Sequence, residues 1–310
     1  MTAATATTDL GEAYSGYLDH LADADEYAAT DLAIGLLDAG VPAERVLLDL
    51  VAPAQAEVGE RWARNEWSVA QEHAATHISE QVVAAVSAHV KPRPTGGRVV
   101  VACMDGEWHA PPPRLVAEVL RLRGWQVTFL GASVPAAHLV SYLHRYDAHA
   151  VALACALPMR LPYAHRMIEA CRRSDVPVVV GGRGFGTDGR WARRLGVAWA
   201  PDAPSAAELI ADERALRGVP AARAYTAAQL DATVSDLGHI ADFLAAAVYV
   251  DDPSLFTEFV EWLSGILRSP GVPAGAVVLP LEHYAAALRD FPRAARALAL
   301  GCAALPGLAR

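Results

Sequence analysis

A tryptophan and a neighbouring polar pair have a spacing that suggests a ligand-binding surface. Trp62 is followed, after nine intervening residues, by Glu72 and His73. A tight turn between two helices would bring all three to one end of the pair, where an indole face and two hydrogen-bonding groups can hold a ribose or a base. A core tryptophan beside a solvated helix is the alternative. A metal pair of His73 and His77, one helical turn apart, is another, although a third ligand is not evident.

A histidine beside a carboxylate follows the first predicted strand in the middle of the chain. His109 comes two residues after Glu107, in the loop of residues 105–113. Neutral imidazole is a good transition-metal ligand, and a carboxylate on its other nitrogen fixes the tautomer and raises the basicity of the ring. His109 is therefore a candidate metal ligand, and a merely solvated loop histidine is the alternative.

A glycine-rich loop follows the fourth predicted strand at residues 181–189. Gly184, Gly186 and Gly189 satisfy the GxGxxG spacing of dinucleotide sites, but that fingerprint follows the first strand of a dinucleotide fold. A simpler interpretation is that Gly181 and Gly182 allow a ligand or another backbone to approach closely. A nucleotide-binding oxidoreductase is the function that the glycine spacing alone would favour.

The composition predicts a folded intracellular protein. The chain has 310 residues, of which 53% are hydrophobic and 20% charged, enough for about two domains with a sizeable core. A net charge of −9 argues against binding nucleic acid through bulk positive charge. Four cysteines without a CxxC pair exclude a disulfide scaffold and a cysteine-rich zinc site. The sequence shows neither a secretory signal nor an apolar run of membrane-spanning length, so we expect a cytoplasmic location and no membrane partner.

The elements that must position these residues fall into three predicted domains, and the fold class is α/β with all-α parts. Apolar residues at three- and four-residue steps in residues 8–90 predict an N-terminal four-helix bundle, with Ser68 capping its fourth helix. After a proline- and glycine-rich linker, residues 97–215 alternate β-branched runs with helices, which predicts a doubly wound parallel sheet. Residues 226–310 form a C-terminal helical domain.

Within the sheet domain we predict strands at 98–104, 126–130, 150–154, 176–180 and 197–200, and helices at 114–123, 136–146 and 163–173. Ligands of such sheets bind beyond the carboxyl ends of the strands, so the loops that follow the strands are the candidate binding loops. The C-terminal helices are predicted at 230–251, 253–268 and 274–289, with a fourth after Pro292.

The combination of these features is more specific than its parts. A four-helix bundle with Trp-x9-Glu-His, followed by a parallel-sheet domain that opens with Glu-x-His, resembles the cobalamin-binding module of light-sensing cobalamin-dependent repressors. The corrinoid proteins of methyltransferases have the same pairing. The resemblance covers residues 10–215, and VGERWARNEWSVAQEH at 58–73 is similar to the helical cap of that family. It implies that His109 is the lower axial ligand of cobalt and that Glu107 supports its ring.

The same resemblance implies the other cofactor contacts. Gly181 and Gly182 would flank the buried nucleotide tail of the cobalamin. Trp62, Glu72 and His73 would cover its upper face and the 5′-deoxyadenosyl group. The cofactor implied is adenosylcobalamin, because the Trp-x9-Glu-His pattern is the one associated with that form.

Several positions differ from the family pattern. The loop motif Asp-x-His-x-x-Gly is Glu-x-His-x-x-Pro here, and its final Pro112 stiffens the loop. The Ser-x-Thr or Ser-x-Leu motif after the third strand is Ala-Cys-Ala from Ala154 onward, which lacks the hydroxyl that usually bonds the displaced base. Ala63 replaces the histidine that caps cobalt in light-sensing repressors, so a bis-histidine photoproduct is not expected. A winged-helix DNA-binding domain is not expected either, because the bundle begins near residue 10.

A cap, a cobalamin domain and a C-terminal helical domain together resemble photocobilins, photoreceptors that bind cobalamin and biliverdin close together and change quaternary structure in light. By this resemblance the C-terminal helices hold biliverdin, with His239 or His283 near the pyrrole nitrogens and Trp262 in the aromatic wall. Further candidates are Phe259 and Tyr284 as walls, Arg268 and Arg289 as partners of the propionates, and Cys302 as a reactive thiol. Helices that only dimerise are the alternative.

The function implied is a light sensor and not an enzyme. Adenosylcobalamin would be the photolabile chromophore and biliverdin a second one, and the output would be a light-dependent change of domain and subunit contacts. The expected partners are further copies of the chain and an effector protein in trans, without direct nucleic-acid binding. The alternative is a corrinoid protein that carries a methyl group for partner methyltransferases.

Overall fold

The protein is described, as a computed structural model, over residues 10–212, 216, 227–266 and 277–305. It divides into two compact units, Met1–Ala224 and Tyr225–Arg310. The predicted bundle and the predicted sheet domain both lie in the first unit. Over the described ranges, none of the helices combines the length and the apolar character that crossing a bilayer requires.

Helices build the N-terminal part of the first unit. They are α1 (Gly11–Ala22), α2 (Glu26–Asp38), α3 (Ala43–Arg45), α4 (Ala52–Ala63) and α5 (Val69–Val90), with a π-helical stretch at Val46–Val51 between α3 and α4. Ser68 caps α5 as predicted, because its hydroxyl accepts the backbone N–H of Gln71 in a capping box. The π-helical stretch was not predicted. It lies just before Pro53, which has no N–H for the carbonyl of Asp49, and the turn widens there.

A five-stranded parallel sheet forms the rest of the first unit, which confirms the predicted doubly wound α/β fold. Its strands are β1 (Arg98–Cys103), β2 (Gln126–Gly131), β3 (Ala150–Ala154), β4 (Val178–Gly181) and β5 (Ala198–Ala200), in the order β2-β1-β3-β4-β5. The chain leaves β1 toward β2 on one side and returns to β3 on the other, so the topological switch point lies between β1 and β3. The loops after these two strands are therefore where a ligand is expected.

Helices cover both faces of the sheet. One face carries α6 (Pro111–Leu122) and α10 (Ala203–Ala211), and the other carries α7 (Ala136–Tyr146), α8 (Leu161–Arg173) and α9 (Arg190–Arg194). Each face has its own hydrophobic core. Helix α6 begins three residues before the predicted start at Arg114. Prolines occupy its first turn, where a missing N–H costs no intrahelical hydrogen bond. The helix therefore begins two residues after His109 and shortens its loop.

The bundle packs along α6, because Leu115 of this helix belongs to the core of the bundle. Leu48 of the π-helical stretch packs in turn against the core of the sheet. Glu44 of α3 forms an ion pair with Arg123, the residue that follows α6, with 2.8 Å between oxygen and nitrogen. This pair also joins the bundle to the sheet. These contacts explain why the bundle and the sheet form one compact unit.

The second unit is helical, as predicted. Its described helices are α11 (Ala227–Val250), α12 (Ser254–Ile266), α13 (Val278–Ala287) and α14 (Pro292–Ala304). Their buried core is apolar and includes Ile240, Phe256, Val260, Leu281 and Leu298. The predicted start of the third helix at residue 274 lies outside the described residues.

Candidate functional site

The loop after β1 presents His109 to solvent above the switch point of the sheet. Beneath it, Glu107 is only 5% exposed. Its Oε1 accepts the backbone N–H of His109 at 2.9 Å, and its Oε2 accepts the backbone N–H of Ala156 at 2.7 Å. The carboxylate therefore ties the loop after β1 to the loop after β3. We expected it to support the imidazole ring of His109, and the structure has it holding the backbone instead.

Two buried thiols flank this carboxylate. Burial and, to a lesser degree, the charge of Glu107 raise the pKa of Cys103 to about 12 and that of Cys155 to about 11. Both thiols are thus protonated at neutral pH and serve as donors, Cys103 to the carbonyl of His109 at 3.8 Å and Cys155 to the carbonyl of Leu157 at 3.3 Å. They help to fix the two loops and are poor candidates for metal ligands.

A cavity of about 280 Å³ opens beside the carboxyl ends of β1, β3 and β4. It lies near the lower end of the size range of small-molecule sites, about 300–1,000 Å³. Its lining is almost wholly apolar and includes three predicted site residues, Ala154, Gly181 and Gly182. Leu48 and Ala52 of the bundle also line it. The sequence did not indicate these two contacts, because no local pattern reveals that the bundle lies along α6.

Gly181 leaves little room for a side chain, and Gly182 leaves none. A Cβ added to Gly181 would lie 3.3 Å from the carbonyl oxygen of Ala200. At Gly182, where φ is +98°, it would lie 2.3 Å from the carbonyl oxygen of Cys155. The chain after β4 therefore passes directly against the loop after β3. This contact is the close backbone approach that the sequence predicted for these glycines.

In the bundle, Trp62 lies at the end of α4 with half of its side chain exposed. The carboxylate of Glu72 contacts Nδ1 of His73 and accepts the hydroxyl of Thr76 at 2.9 Å. That hydroxyl accepts in turn from Nε2 of Gln55 at 2.5 Å. The predicted Glu-His pair is thus part of a hydrogen-bonded row that links α5 to α4.

Gln55 is a residue that sequence reasoning missed. It precedes Trp62 by seven residues, so the two side chains share one face of α4, and this spacing is the signal that could have found it. The Oε1 atom of Gln55 is buried and, among the described residues, has no hydrogen-bond partner. A buried acceptor without a partner costs free energy unless a ligand donates to it. The row therefore offers an unused acceptor on the same face of α4 as the exposed indole, two helical turns away.

The metal pair of His73 and His77 gains no support from the structure. Nε2 of His77 lies 3.4 Å from Nε2 of Gln81. In the part of the chain that the structure describes, no three His, Cys, Asp or Glu side chains are grouped so as to hold a metal ion.

In the second unit, the predicted bilin residues His239, His283 and Trp262 are all exposed. The hydroxyl of Tyr284 donates to the carbonyl of Leu237 at 3.2 Å, so His239 and His283 lie on the two helices that this bond joins. An aromatic row runs across α11 and α12: Phe243 stacks on Phe259 at 4.0 Å between ring centroids, and Trp262 follows at 6.1 Å.

A cavity in this unit is lined by other residues. It has a volume of about 280 Å³ and lies between α11 and α14, with Asp251, Arg293 and Arg296 as its charged lining. Arg289 is exposed beside Asp290, and the predicted Arg268 lies outside the described residues. Cys302 is partly buried, and burial followed by the charge of Glu282 raises the pKa of its thiol, which makes it a weak nucleophile at neutral pH.

Both parts of the first unit are similar to known protein families. Residues 97–211 match the family model described as a B12 binding domain, and residues 14–87 match a second model with the same description. The HTH-type transcriptional repressor CarA of Myxococcus xanthus is 35% identical over 119 residues, which is 37% of this chain and 41% of that protein. The chain thus spans less than half the length of that relative.

Two further proteins are similar to the chain over a longer stretch. Trimethylamine corrinoid protein 1 of Methanosarcina mazei is 25% identical over 187 residues, 57% of this chain and 85% of that protein. The structure of the monomethylamine corrinoid protein of Methanosarcina barkeri superposes with a TM-score of 0.58 at 18% identity, over 66% of this chain and 99% of that one. That structure confirms the fold of the first unit. Residues 14–87 and 97–211 are therefore a pair of B12-binding domains.

Proposed function

We propose that the protein is a light sensor that uses adenosylcobalamin as its chromophore. The observation that carries the proposal is the half-exposed indole of Trp62, which shares one face of α4 with Gln55, the residue that joins the hydrogen-bonded row of Glu72, His73 and Thr76. A flat apolar face next to polar groups suits an adenosyl group, whose base can stack while its ribose hydroxyls form hydrogen bonds. A methyl group would use none of these features. When bound, adenosylcobalamin supplies a cobalt–carbon bond that light can cleave.

The described residues fit a corrinoid cofactor at three places. His109 is exposed on a loop that a buried carboxylate holds, so its ring is available as the lower cobalt ligand. The apolar cavity beside Gly181 and Gly182 suits the base of the nucleotide tail. The unpartnered Oε1 of Gln55 can accept a hydrogen bond from an amide, and amides surround the corrin ring.

In this proposal each group of residues has one task. Glu107 fixes the loop so that His109 stays in one position. Trp62 and the polar row hold the bundle against the upper face for as long as the adenosyl group is present. Loss of that group would leave the row without its partner, and packed interfaces respond to such a loss in steps. The output we propose is a change in the assembly of the chain with its own copies, read by an effector protein in trans.

The proposal is tested by reconstituting the chain with adenosylcobalamin in darkness. We expect the absorption spectrum to change on green illumination and the elution volume in size-exclusion chromatography to change with it. The matched control is methylcobalamin, loaded and illuminated in the same way. A chain that binds methylcobalamin equally well and keeps one elution volume, although its spectrum changes, would instead favour a methyl carrier.

The Trp62→Ala variant tests the role of the indole. Because removal of a large aromatic side chain takes away stacking area, we expect affinity for adenosylcobalamin to fall about tenfold, an effect of roughly 1.4 kcal/mol. Affinity for methylcobalamin in the same variant should stay within about twofold, since a methyl group does not reach the indole. Titration followed by absorption measures both. Equal losses for the two cofactors would mean that Trp62 only stabilises the bundle.

Biliverdin is proposed as a second chromophore of the C-terminal unit. The supporting observation is the row of Phe243, Phe259 and Trp262, which offers stacked rings at the surface. Arg296 lines a cavity in the same unit and is a cation that can meet a propionate, whereas Arg293 of the same lining forms an ion pair with Asp251 at 3.5 Å. The exposed His239 and His283 remain the candidate partners of the pyrrole nitrogens.

Addition of biliverdin to the full-length protein should give a red-shifted absorption band that saturates at one equivalent per chain. The Trp262→Ala variant should lose most of this band, because an exposed aromatic wall is removed without disturbing the core. Phe291→Ala, which removes an equally exposed ring elsewhere in the unit, should keep it. If no band forms, the helices have another role, such as dimerisation. A band that Trp262→Ala leaves unchanged would mean that Trp262 is not part of the binding wall.

A further inference from the structure

Charge is divided unevenly over the first unit of the chain. Residues 157–196 contain eight arginines and three acidic residues, a net charge of 8 − 3 = +5. The whole chain carries −9, so the remainder carries −9 − 5 = −14. The positive stretch comprises α8, β4, α9 and the loops around them. A basic surface of this kind in an acidic protein is not needed to hold the cofactor loops and requires its own explanation.

Five of the eight arginines of this stretch are exposed, and the other three are partly buried. Arg173 on α8 and Arg183, Arg190 and Arg194 on or beside α9 are all exposed. The guanidinium of Arg172 bonds the carbonyls of Leu195 and Gly196 that follow α9, so the two helices are joined and their arginines belong to one surface. We name this surface, formed by the exposed arginines of α8 and α9, the arginine face.

The opposite charge lies on α1 and α2 of the bundle. Residues 10–38 contain seven Asp and Glu and no Lys or Arg. All seven are exposed: Glu12, Asp19, Asp23, Asp25, Glu26, Asp31 and Asp38. Tyr27 lies in the first turn of α2 and is 82% exposed. We name this surface, formed by the acidic residues of α1 and α2 with Tyr27, the acidic face.

We infer that the arginine face of one copy binds the acidic face of a second copy. The helices match in length: α1 and α2 have 12 and 13 residues and α8 has 13, so each is about 20 Å long. Opposite charges steer the two surfaces together, and tyrosine and arginine are the residues most enriched at the energetic centres of interfaces. A two-fold dimer would contain the contact twice, since each copy presents both faces.

This inference rests on the proposed function in one respect, since both take a second copy of the chain as the partner. The contact between the two faces itself needs no light. Surface charges are screened by salt over about 8 Å at physiological ionic strength, so the assembly should weaken as salt is raised. A nucleic acid is the other class of partner that an arginine surface can attract, and the experiment separates the two.

Two charge-reversed variants of the full-length protein, loaded with adenosylcobalamin in darkness, test the contact. One carries Arg173→Glu and Arg194→Glu, and the other carries Asp23→Lys and Glu26→Lys; Asp25 is left intact because its carboxylate caps α2. Each variant alone places like charges opposite one another. We expect its dissociation constant for self-association to rise about tenfold or more, measured by sedimentation velocity.

An equimolar mixture of the two variants restores opposite charge at both contacts. We therefore expect the mixture to regain the assembly that each variant has lost. The double variant Lys91→Glu and Arg93→Glu makes the same change of charge at two exposed residues of the linker and should assemble as the parent does. Failure of the mixture to assemble would overturn the inference, as would binding of duplex DNA that the arginine reversal abolishes while self-association persists.

The same samples distinguish this inference from the proposed function. If illumination changes the spectrum but the mixture does not assemble, the contact is wrong and the light sensor stands. If the mixture assembles but neither spectrum nor assembly responds to light, the contact stands and the sensor is wrong.

Discussion

Replacement of His109 by alanine is expected to remove the lower cobalt ligand and to weaken cobalamin binding at least about 100-fold, more than the loss of a supporting residue costs a metal site. The absorption spectrum of any cobalamin still bound should shift, because its axial ligand has changed. The side chain is exposed, so the variant should fold like the parent. Absorption titration gives both the affinity and the spectrum.

His138→Ala is the matched control for this prediction. His138 is an exposed histidine on α7 in the same sheet domain, and its loss should leave both affinity and spectrum unchanged. A His109→Ala protein that binds cobalamin with an unaltered spectrum would show that the histidine is not a ligand. In that case the hydrogen bonds of Glu107 would only join the loops after β1 and β3 and would not position a cobalt ligand.

Patterns that are local in the sequence predicted the structure well. The five strands were found from their short apolar runs, and β3 at Ala150–Ala154 has the predicted bounds, because strands buried on both faces have nearly continuous apolar sequences. Ser68 was identified as a cap from its residue type and place. His109 was placed correctly at the ligand edge of the sheet, since the strand before it fixes which edge its loop occupies.

Features that depend on packing between distant segments could not be predicted in this way. Glu107 was expected to bond the ring of His109, but the loop after β3 brings the N–H of Ala156 to its second oxygen. The contact of Gln55 with Thr76 joins two helices across 21 residues, and nothing local marks it. The bilin candidates were chosen from residue type alone. Two of them, Phe259 and Tyr284, are used in packing and in a helix-to-helix hydrogen bond.

Gly182→Ala is expected to have the second large effect, on both stability and the cavity for the nucleotide tail. The backbone at Gly182, with φ +98° and ψ 158°, is a conformation that only glycine adopts readily, and forcing alanine into it costs about 1–3 kcal/mol. The new Cβ would also lie 2.3 Å from the carbonyl oxygen of Cys155, so the loops after β3 and β4 must separate. With overpacking included, we expect the free energy of unfolding to fall by about 3–5 kcal/mol.

Gly131→Ala separates the two causes of this loss. Gly131 also has a positive φ, +79°, but a Cβ there would meet nothing within 4 Å. Its replacement should therefore cost the backbone strain alone, about 1–2 kcal/mol, and leave cobalamin affinity within about twofold of the parent. Gly182→Ala should lower that affinity about tenfold or more, because the separated loops change the wall of the cavity. Urea denaturation and absorption titration measure the two quantities. If Gly182→Ala is destabilised but binds cobalamin as tightly as the Gly131→Ala protein, the apolar cavity beside β4 does not receive the nucleotide tail.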